Sequence, residues 1–251
     1  MIIADTHLHI YENYNLAAAI GGCVQRLSGY EPEAVCAGFL VEREGQHIYR
    51  SMADGSAGRL LDGVDLEVLD GGHCLAMSAG GCEPLYLCPG RQIVTRERLE
   101  ILCLGVDAAI ADGLAADEAI ARVLEVGGVA VLAWAVGKWL FKRAAVVRSL
   151  LDEFASRGLL VGDSAMRPVF WGEPRLMRYA RRLDMRVLAG SDPLPASGEE
   201  RVMGRYASLL QGKFEKATAG QDLREALISS KLQTVGRRSG PLEFLQRMSH
   251  S

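Results

Sequence analysis

The chain has 251 residues, of which 49% are hydrophobic and 24% are charged, and its formal net charge is −3 at pH 7. This composition is ordinary for a soluble globular protein, and the length suits one large α/β domain. The weak negative charge gives no basis for a nucleic-acid partner or a membrane-surface partner, so neither is expected. The sequence shows no signal peptide and no apolar stretch long enough to cross a bilayer, so a cytoplasmic location is expected.

The first eleven residues, MIIADTHLHIY, predict a short buried strand, because they are rich in β-branched and aromatic residues and show no helical period. Side chains alternate along a strand, so one face is expected to carry Ile3, Asp5, His7 and His9. Burying imidazoles and a carboxylate is unfavourable unless they are hydrogen-bonded, paired or bound to a metal. The pattern therefore predicts a divalent metal site, for zinc, iron or manganese. The alternative is a pair of hydrogen-bonded histidines at a strand end, with Asp5 in a supporting role.

A helix is expected over residues 15–27, and the region after it is dense in strand signals. Three β-hairpins are predicted, with strands at 34–42 and 46–52, at 66–69 and 73–78, and at 84–95 and 99–105. The first two have glycine-containing turns between their strands, at 43–45 and 70–72.

From residue 106 onward, apolar strands alternate with amphipathic helices. Helices are predicted at 117–126, 138–157 and 174–183, and strands at 129–136, 159–161 and 186–190. Ser197 and Glu200 fit a capping box that opens a further helix. Alternation of this kind indicates a parallel sheet with helices outside. We expect one domain spanning residues 1–251, with residues 231–251 as a peripheral C-terminal tail.

Polar side chains follow the apolar strands, where a βα barrel places its functional groups. Lys138 and Arg167 are candidates for holding a phosphate or carboxylate group. The alternatives are a solvated lysine in a first helical turn and an arginine paired with Asp163. Asp192 is the best partner for the two histidines, although an Asp-Pro pair also occurs in simple turns.

Two of these motifs carry a family resemblance. Asp-Thr-His-Leu-His at 5–9 resembles the opening motif of the PHP (polymerase and histidinol phosphatase) superfamily, whose relatives are the amidohydrolases. Gly-Ser-Asp at 190–192 resembles their late-strand motif. The resemblance implies an α/β fold, namely a PHP-like distorted (β/α)7–8 TIM-type barrel with extra β-hairpins in its first half. It also implies metal ligation by His7, His9 and Asp192, with Asp5 as a further candidate.

The sequence departs from the family pattern at four expected ligand positions, which hold Gln92, Leu102, Trp134 and Pro193. A trinuclear metal cluster cannot be assembled from the matching positions. One metal remains feasible, because a catalytic zinc needs only three protein ligands and an open position.

The leading hypothesis is a metal-dependent, phosphoesterase-like hydrolase with one divalent metal per chain. A metal-bound water would attack a small anionic substrate, with Asp192 as the base and with Lys138 and Arg167 holding the substrate. Two alternatives stay open, a non-catalytic PHP-like binding or complex-forming protein and an amidohydrolase-type C–N hydrolase. The sequence does not specify the substrate, the metal or the oligomeric state.

Overall fold

The computed structural model describes residues 1–229 and 231–249. The described strands are β1 (Ile2–Leu8), β2 (Val35–Glu42), β3 (Asp65–Leu69), β4 (Cys74–Ser78), β5 (Leu85–Val94), β6 (Glu100–Leu104), β7 (Val129–Ala133), β8 (Leu160–Ser164), β9 (Val187–Gly190), β10 (Tyr206–Leu210) and β11 (Leu232–Gly236). The helices are α1 (Leu16–Tyr30), α2 (Ile48–Ala53), α3 (Ala116–Glu125), α4 (Lys142–Phe154), α5 (Arg175–Arg182), α6 (Ala219–Ser229) and α7 (Pro241–Met248). None of these helices combines the length and the apolarity needed to span a membrane.

The strands form a single sheet in the order β11-β10-β1-β2-β5-β6-β7-β8-β9, and the β3–β4 hairpin joins it through β5. Neighbours are parallel in the pairs β1–β2, β2–β5, β7–β8 and β8–β9, whereas β6 is antiparallel to both β5 and β7. Strands β1, β2, β5, β7, β8 and β9 therefore point the same way, as do β3 and β11 at the margins of the sheet. The side of the sheet on which the first six end is named the carboxyl rim.

The sheet curls until β9 lies against β1. Thr6 Oγ1 donates to the carbonyl oxygen of Ala189 at 3.1 Å, and the amide of Asp192 donates to the carbonyl oxygen of His7 at 2.9 Å. A side chain at Gly190 would not fit, because its Cβ would lie 2.3 Å from the Cβ of His7. The predicted distorted α/β barrel is confirmed.

The apolar residues fall into an inner core and an outer layer. The barrel interior contains Phe39, Leu102 and Leu188, while Ile101, Val161 and Phe154 belong to the layer between the sheet and helices α3, α4 and α5. Strands β7, β8 and β9 are buried on both faces. Their continuous apolar sequences follow from that position.

Two of the three predicted hairpins are confirmed, as β3–β4 and β5–β6. The first is wrong, because residues 48–53 form α2 instead of a returning strand. Tyr49 and Met52, three residues apart, are both buried, and Glu42 Oε1 accepts a hydrogen bond from the amide of Tyr49 at 3.1 Å. The burial of Tyr49 and Met52 at helical spacing and the hydrogen bond to Glu42 favour a helix here. They outweigh the strand pattern in the local sequence.

Three other segments differ from the sequence-based expectation. Helix α4 begins at Lys142, because residues 134–141 form a loop. Ser197 caps no helix; Glu200 accepts from the amide of Gly198, and residues 199–202 form a short 3-10 helix. The expected tail, 231–251, contributes β11 and α7, and its last two residues lie outside the described part of the chain.

Candidate metal centre

A bulge in β1 decides which of its polar side chains enter the barrel. Asp5 pairs with Gly38 and Leu8 with Leu40, so β1 contains one more residue than β2 over this interval. As a result Ile3 and Leu8 share the outer apolar cluster, although they stand five residues apart. The expected common face for Asp5 and His7 is therefore wrong.

Asp5 lies away from the histidine rings and connects β1 to the β9–β10 region. Its carboxylate accepts from the amides of Ser191 and Gly204, each at 2.8 Å, and of His7 at 3.3 Å. Burial raises the pKa of Asp5 to about 6, against the lowering effect of these hydrogen bonds. These contacts fit the supporting role considered from the sequence.

His7, His9 and Asp192 converge at the carboxyl rim. The Nε2 atoms of the two histidines are 3.2 Å apart, and Asp192 Oδ1 lies 3.5 Å from His7 Nε2 and 3.8 Å from His9 Nε2. They form a group of potential metal ligands whose donor atoms all lie within 4.8 Å of one another. Nitrogen ligands about 2.0–2.1 Å from a tetrahedral zinc would be about 3.3 Å apart, so the observed spacing fits one metal ion.

The electrostatics of the cluster favour the protonation states that a metal requires. Burial, reinforced by the charge of His7, lowers the pKa of His9 to about 3, so its imidazole is neutral at pH 7. Burial alone would raise the pKa of Asp192, but His7, His9 and Arg247 together with the Ser164 hydroxyl lower it below its ordinary value.

Asp192 is fixed through both its backbone and its side chain. Its φ of +51° lies in the left-handed region, which aspartate tolerates better than most residues. Arg247 Nη2 donates to its carbonyl oxygen at 2.8 Å, and Ser164 Oγ donates to its Oδ2 at 2.9 Å. Oδ1 is thereby left facing the histidines.

The four replaced ligand positions differ in what they present to this cluster. Gln92 Oε1 lies 3.3 Å from His7 Nε2, so its amide reaches the site. Leu102 is buried in the barrel interior, Trp134 packs in the helix layer, and Pro193 is buried beside Asp192. Of these four, Gln92 alone places a polar side-chain atom at the histidines.

Lys138 and Arg167 are both engaged by carboxylates. Lys138 Nζ lies 2.5 Å from Glu100 Oε1. Arg167 is buried and donates to Asp163 through Nε at 2.7 Å and Nη2 at 2.5 Å, and its Nη1 donates to the carbonyl oxygens of Trp171 and Gly172. The pairing of Arg167 with Asp163, considered as an alternative from the sequence, is what the structure shows.

Sequence reasoning missed two residues near the cluster. Arg247 belongs to the segment expected to be a peripheral tail, and no motif connects it to Asp192. Tyr11 ends the opening strand pattern, yet nothing in the sequence distinguishes it from a core aromatic residue. Its ring centroid lies 5.9 Å from that of His9.

No protein-family model matches the sequence, and no curated protein matches it either. Several solved structures are similar. PsfC from Pseudomonas syringae PB-5123 has 18% identity and a TM-score of 0.61, with 99% of this chain and 98% of PsfC covered. A two-domain protein from Bacteroides vulgatus ATCC 8482, described as containing a predicted PHP-like metal-dependent phosphoesterase, has 13% identity and a TM-score of 0.51, covering 94% of this chain and 65% of that protein.

The lesion-specific endonuclease PfuEndoQ from Pyrococcus furiosus is also similar, with 13% identity and a TM-score of 0.50, covering 94% of this chain and 58% of the endonuclease. This similarity corrects the expectation about partners. The prediction of no nucleic-acid partner is wrong, because it relied on the net charge of −3 and an endonuclease shares this fold.

Proposed function

We propose that this chain, which has a PHP-like fold, is a metal-dependent hydrolase that cleaves a phosphate ester. The observation that carries the proposal is the convergence of His7 Nε2, His9 Nε2 and Asp192 Oδ1 at the carboxyl rim. Two imidazoles and one carboxylate make up the ligand set of several mononuclear zinc hydrolases, and three protein ligands leave a coordination position open. The donor atoms of His7, His9 and Asp192 lie close enough together to hold one metal ion.

A divalent cation held by these three residues would act as a Lewis acid and lower the pKa of a water molecule to about 7 in favourable cases. The residues of the chain supply the metal ligands and the proton acceptor. Asp192 has one oxygen facing the histidines and the other held by Ser164, so it can ligate and also accept a proton. Neutral His9 is ready to ligate without losing a proton.

Burial determines the side from which a substrate reaches the site. The side chains of His7 and His9 are only 5% and 2% exposed, whereas that of Asp192 is 17% exposed. The substrate therefore approaches on the Asp192 side. Exclusion of water around the histidines strengthens the electrostatic interactions there.

A second candidate function is a non-catalytic binding protein with a degenerate metal site. The observation in its favour is that Leu102, Trp134 and Pro193 offer no metal-binding side chain at positions where PHP proteins hold ligands. Metal content separates the two candidates, because the hydrolase needs an ion and the binding protein does not.

The test is metal analysis by mass spectrometry on tag-free protein, with and without reconstitution with zinc, manganese or iron. We expect about one ion per chain in the wild type and in His47→Ala, whose histidine is exposed. His7→Ala and Asp192→Ala should lose it. Metal-loaded protein would then be screened against phosphomonoesters, phosphodiesters and lesion-containing DNA. Absence of metal from every reconstituted sample would contradict the hydrolase and favour the binding protein.

A further inference from the structure

Tyr11 is a buried residue whose hydroxyl lacks a hydrogen-bond partner. The residue is 8% exposed, and within residues 1–229 and 231–249 no group hydrogen-bonds to its buried hydroxyl. Buried polar atoms are nearly always paired, and the exceptions call for an explanation such as a ligand or an ordered water. The neighbouring Tyr14 shows the ordinary arrangement, because its buried hydroxyl donates to the carbonyl oxygen of Leu194 at 2.5 Å.

The position of Tyr11 connects it to the metal centre. It stands two residues beyond His9, and the two rings are tilted by 33° with their centroids 5.9 Å apart. The Nδ1 atom of His9 is likewise buried and without a partner among the described residues. One unpaired polar atom therefore belongs to a proposed metal ligand, and the other belongs to the tyrosine whose ring lies beside it.

Arg43 brings a positive charge to the same place. It follows β2 at the carboxyl rim, its side chain is exposed, and it forms no ion pair in the described part of the chain. Its charge acts on both His9 and Tyr11. Lys138 and Arg167, by contrast, are already paired with carboxylates.

The space needed for a ligand is present beside these residues. Tyr11 lines a cavity of about 520 Å³ between the loops that follow β1 and β2, and Arg43 lines a second cavity of about 260 Å³. Both cavities are bordered by residues 45–47, so they open on the same loop.

We infer that Tyr11 and Arg43 form the oxyanion-binding half of the site, and that they take a phosphoryl group of the substrate. The Tyr11 hydroxyl donates to one phosphoryl oxygen, and the Arg43 guanidinium pairs with the oxyanion through its planar set of donors. The inference rests on the proposed function, because the metal centre places the reacting group next to these two residues.

Two measurements on the full chain test the inference, one of stability and one of anion binding. Thermal unfolding would compare Tyr11→Phe with Tyr14→Phe. Equilibrium dialysis of radiolabelled inorganic phosphate would compare the wild type, Tyr11→Phe and Arg43→Gln, each with zinc and without metal. Tyr179→Phe serves as the binding control, because that tyrosine lies in the helix layer and bonds to Asp152.

We expect Tyr11→Phe to keep or raise the wild-type Tm, because it removes an unpaired hydroxyl. Tyr14→Phe should lose about 2 to 4 °C, because it breaks a hydrogen bond. Tyr11→Phe and Arg43→Gln should each raise the Kd for phosphate about tenfold or more, as expected when a hydrogen bond to a charged group is lost. Tyr179→Phe should bind phosphate like the wild type.

Unchanged phosphate affinity in Tyr11→Phe would overturn the inference. A drop in its Tm equal to that of Tyr14→Phe would also overturn it, because the hydroxyl would then have a partner such as a buried water. If the wild type takes up no metal, the hydrolase proposal is refuted, but the inference about Tyr11 and Arg43 is not. Phosphate binding that depends on Tyr11 and Arg43 in metal-free protein would still support the inference, and absence of phosphate binding in both forms would refute it.

Discussion

Asp192 is held by hydrogen bonds at its backbone and at its carboxylate. Its amide donates to the carbonyl oxygen of His7, its own carbonyl oxygen accepts from Arg247, and its Oδ2 accepts from Ser164. These contacts hold a non-glycine residue at positive φ and direct Oδ1 at the histidines. Groups that contact a metal ligand orient it, and their loss typically lowers metal affinity.

Ser164→Ala tests this dependence. We expect metal affinity to fall about 10- to 100-fold, because Asp192 loses the donor that fixes its carboxylate. Competition with a chromogenic chelator would measure the affinity. Ser51→Ala is the control, since its hydroxyl on α2 donates only to the carbonyl oxygen of His47. If Ser164→Ala and the wild type bound metal equally, the orientation of Asp192 would not depend on this hydroxyl.

At the residue scale, the sequence predicted the ligand cluster better than its surroundings. The motifs at 5–9 and 190–192 identify His7, His9 and Asp192, and the structure brings these three together. Asp5 was misplaced because strict alternation does not anticipate a bulge. The contact between Arg247 and Asp192 joins residues 55 positions apart, and no local pattern reports such a contact.

At the scale of elements, short segments with distant contacts were the hardest to predict. The first hairpin was wrong because α2 is stabilised by Glu42 and by burial of Tyr49, and neither effect is visible locally. Among the described strands, β11 lies at an edge, where it pairs with β10 alone, and it is largely exposed, so it lacks an alternating apolar pattern. The long βα alternation of the second half was predictable because both faces of its strands are buried.

Asp222 shows how one carboxylate connects an element to the loop before it. It is buried in α6 and accepts from the amide of Glu215 at 2.9 Å and from Thr218 Oγ1 at 3.0 Å, and Lys213 Nζ lies 3.2 Å from its other oxygen. Burial alone would raise the pKa of Asp222, but these hydrogen bonds and the lysine charge lower it below its ordinary value.

The free energy of unfolding should therefore depend on Asp222 in a pH-sensitive way. A carboxylate whose pKa is lower in the folded state stabilises the protein above the unfolded pKa, and the contribution disappears as the pH falls through the folded pKa. We expect Asp222→Asn to be less stable than the wild type by about 2 kcal/mol at pH 7. Urea unfolding at several pH values should show the difference shrinking below about pH 4. A difference that is constant from pH 7 to pH 3 would contradict the assignment.

At the scale of the whole molecule, the segment from 238 to 249 joins three parts of the carboxyl rim. Arg238 donates to the carbonyl oxygen of Trp171 at 3.0 Å, and the amide of Ser239 donates to the carbonyl oxygen of Ala165 at 2.9 Å. Arg247 contacts both Asp192 and Glu199. The C-terminal helix therefore supports the loops after β8 and β9 from outside the barrel.

Arg247→Gln should reduce both stability and metal affinity. Loss of the guanidinium leaves Glu199, whose side chain is 13% exposed, without its cationic partner, which costs about 3 kcal/mol, and it removes the donor to the Asp192 carbonyl oxygen. The double variant Arg247→Gln with Glu199→Gln should recover much of the stability in urea unfolding, while its metal affinity stays low. If the double variant also recovered metal affinity, the unpaired charge of Glu199, and not the contact with Asp192, would account for the loss.

The contact between β1 and β9 also limits how this protein can diversify. A Cβ at Gly190 would lie 2.6 Å from the backbone nitrogen of His7, whereas one at Gly38 would meet the ends of the Leu8 and Leu87 side chains and no backbone atom among its nearest neighbours. A saturation library should therefore return only glycine at 190 but tolerate small residues at 38. Residues 44–47 border open cavities and include neither a proposed metal ligand nor the proposed oxyanion-binding Arg43, so they can vary more freely. New specificities would then arise by exchanging this loop while the metal centre stays intact.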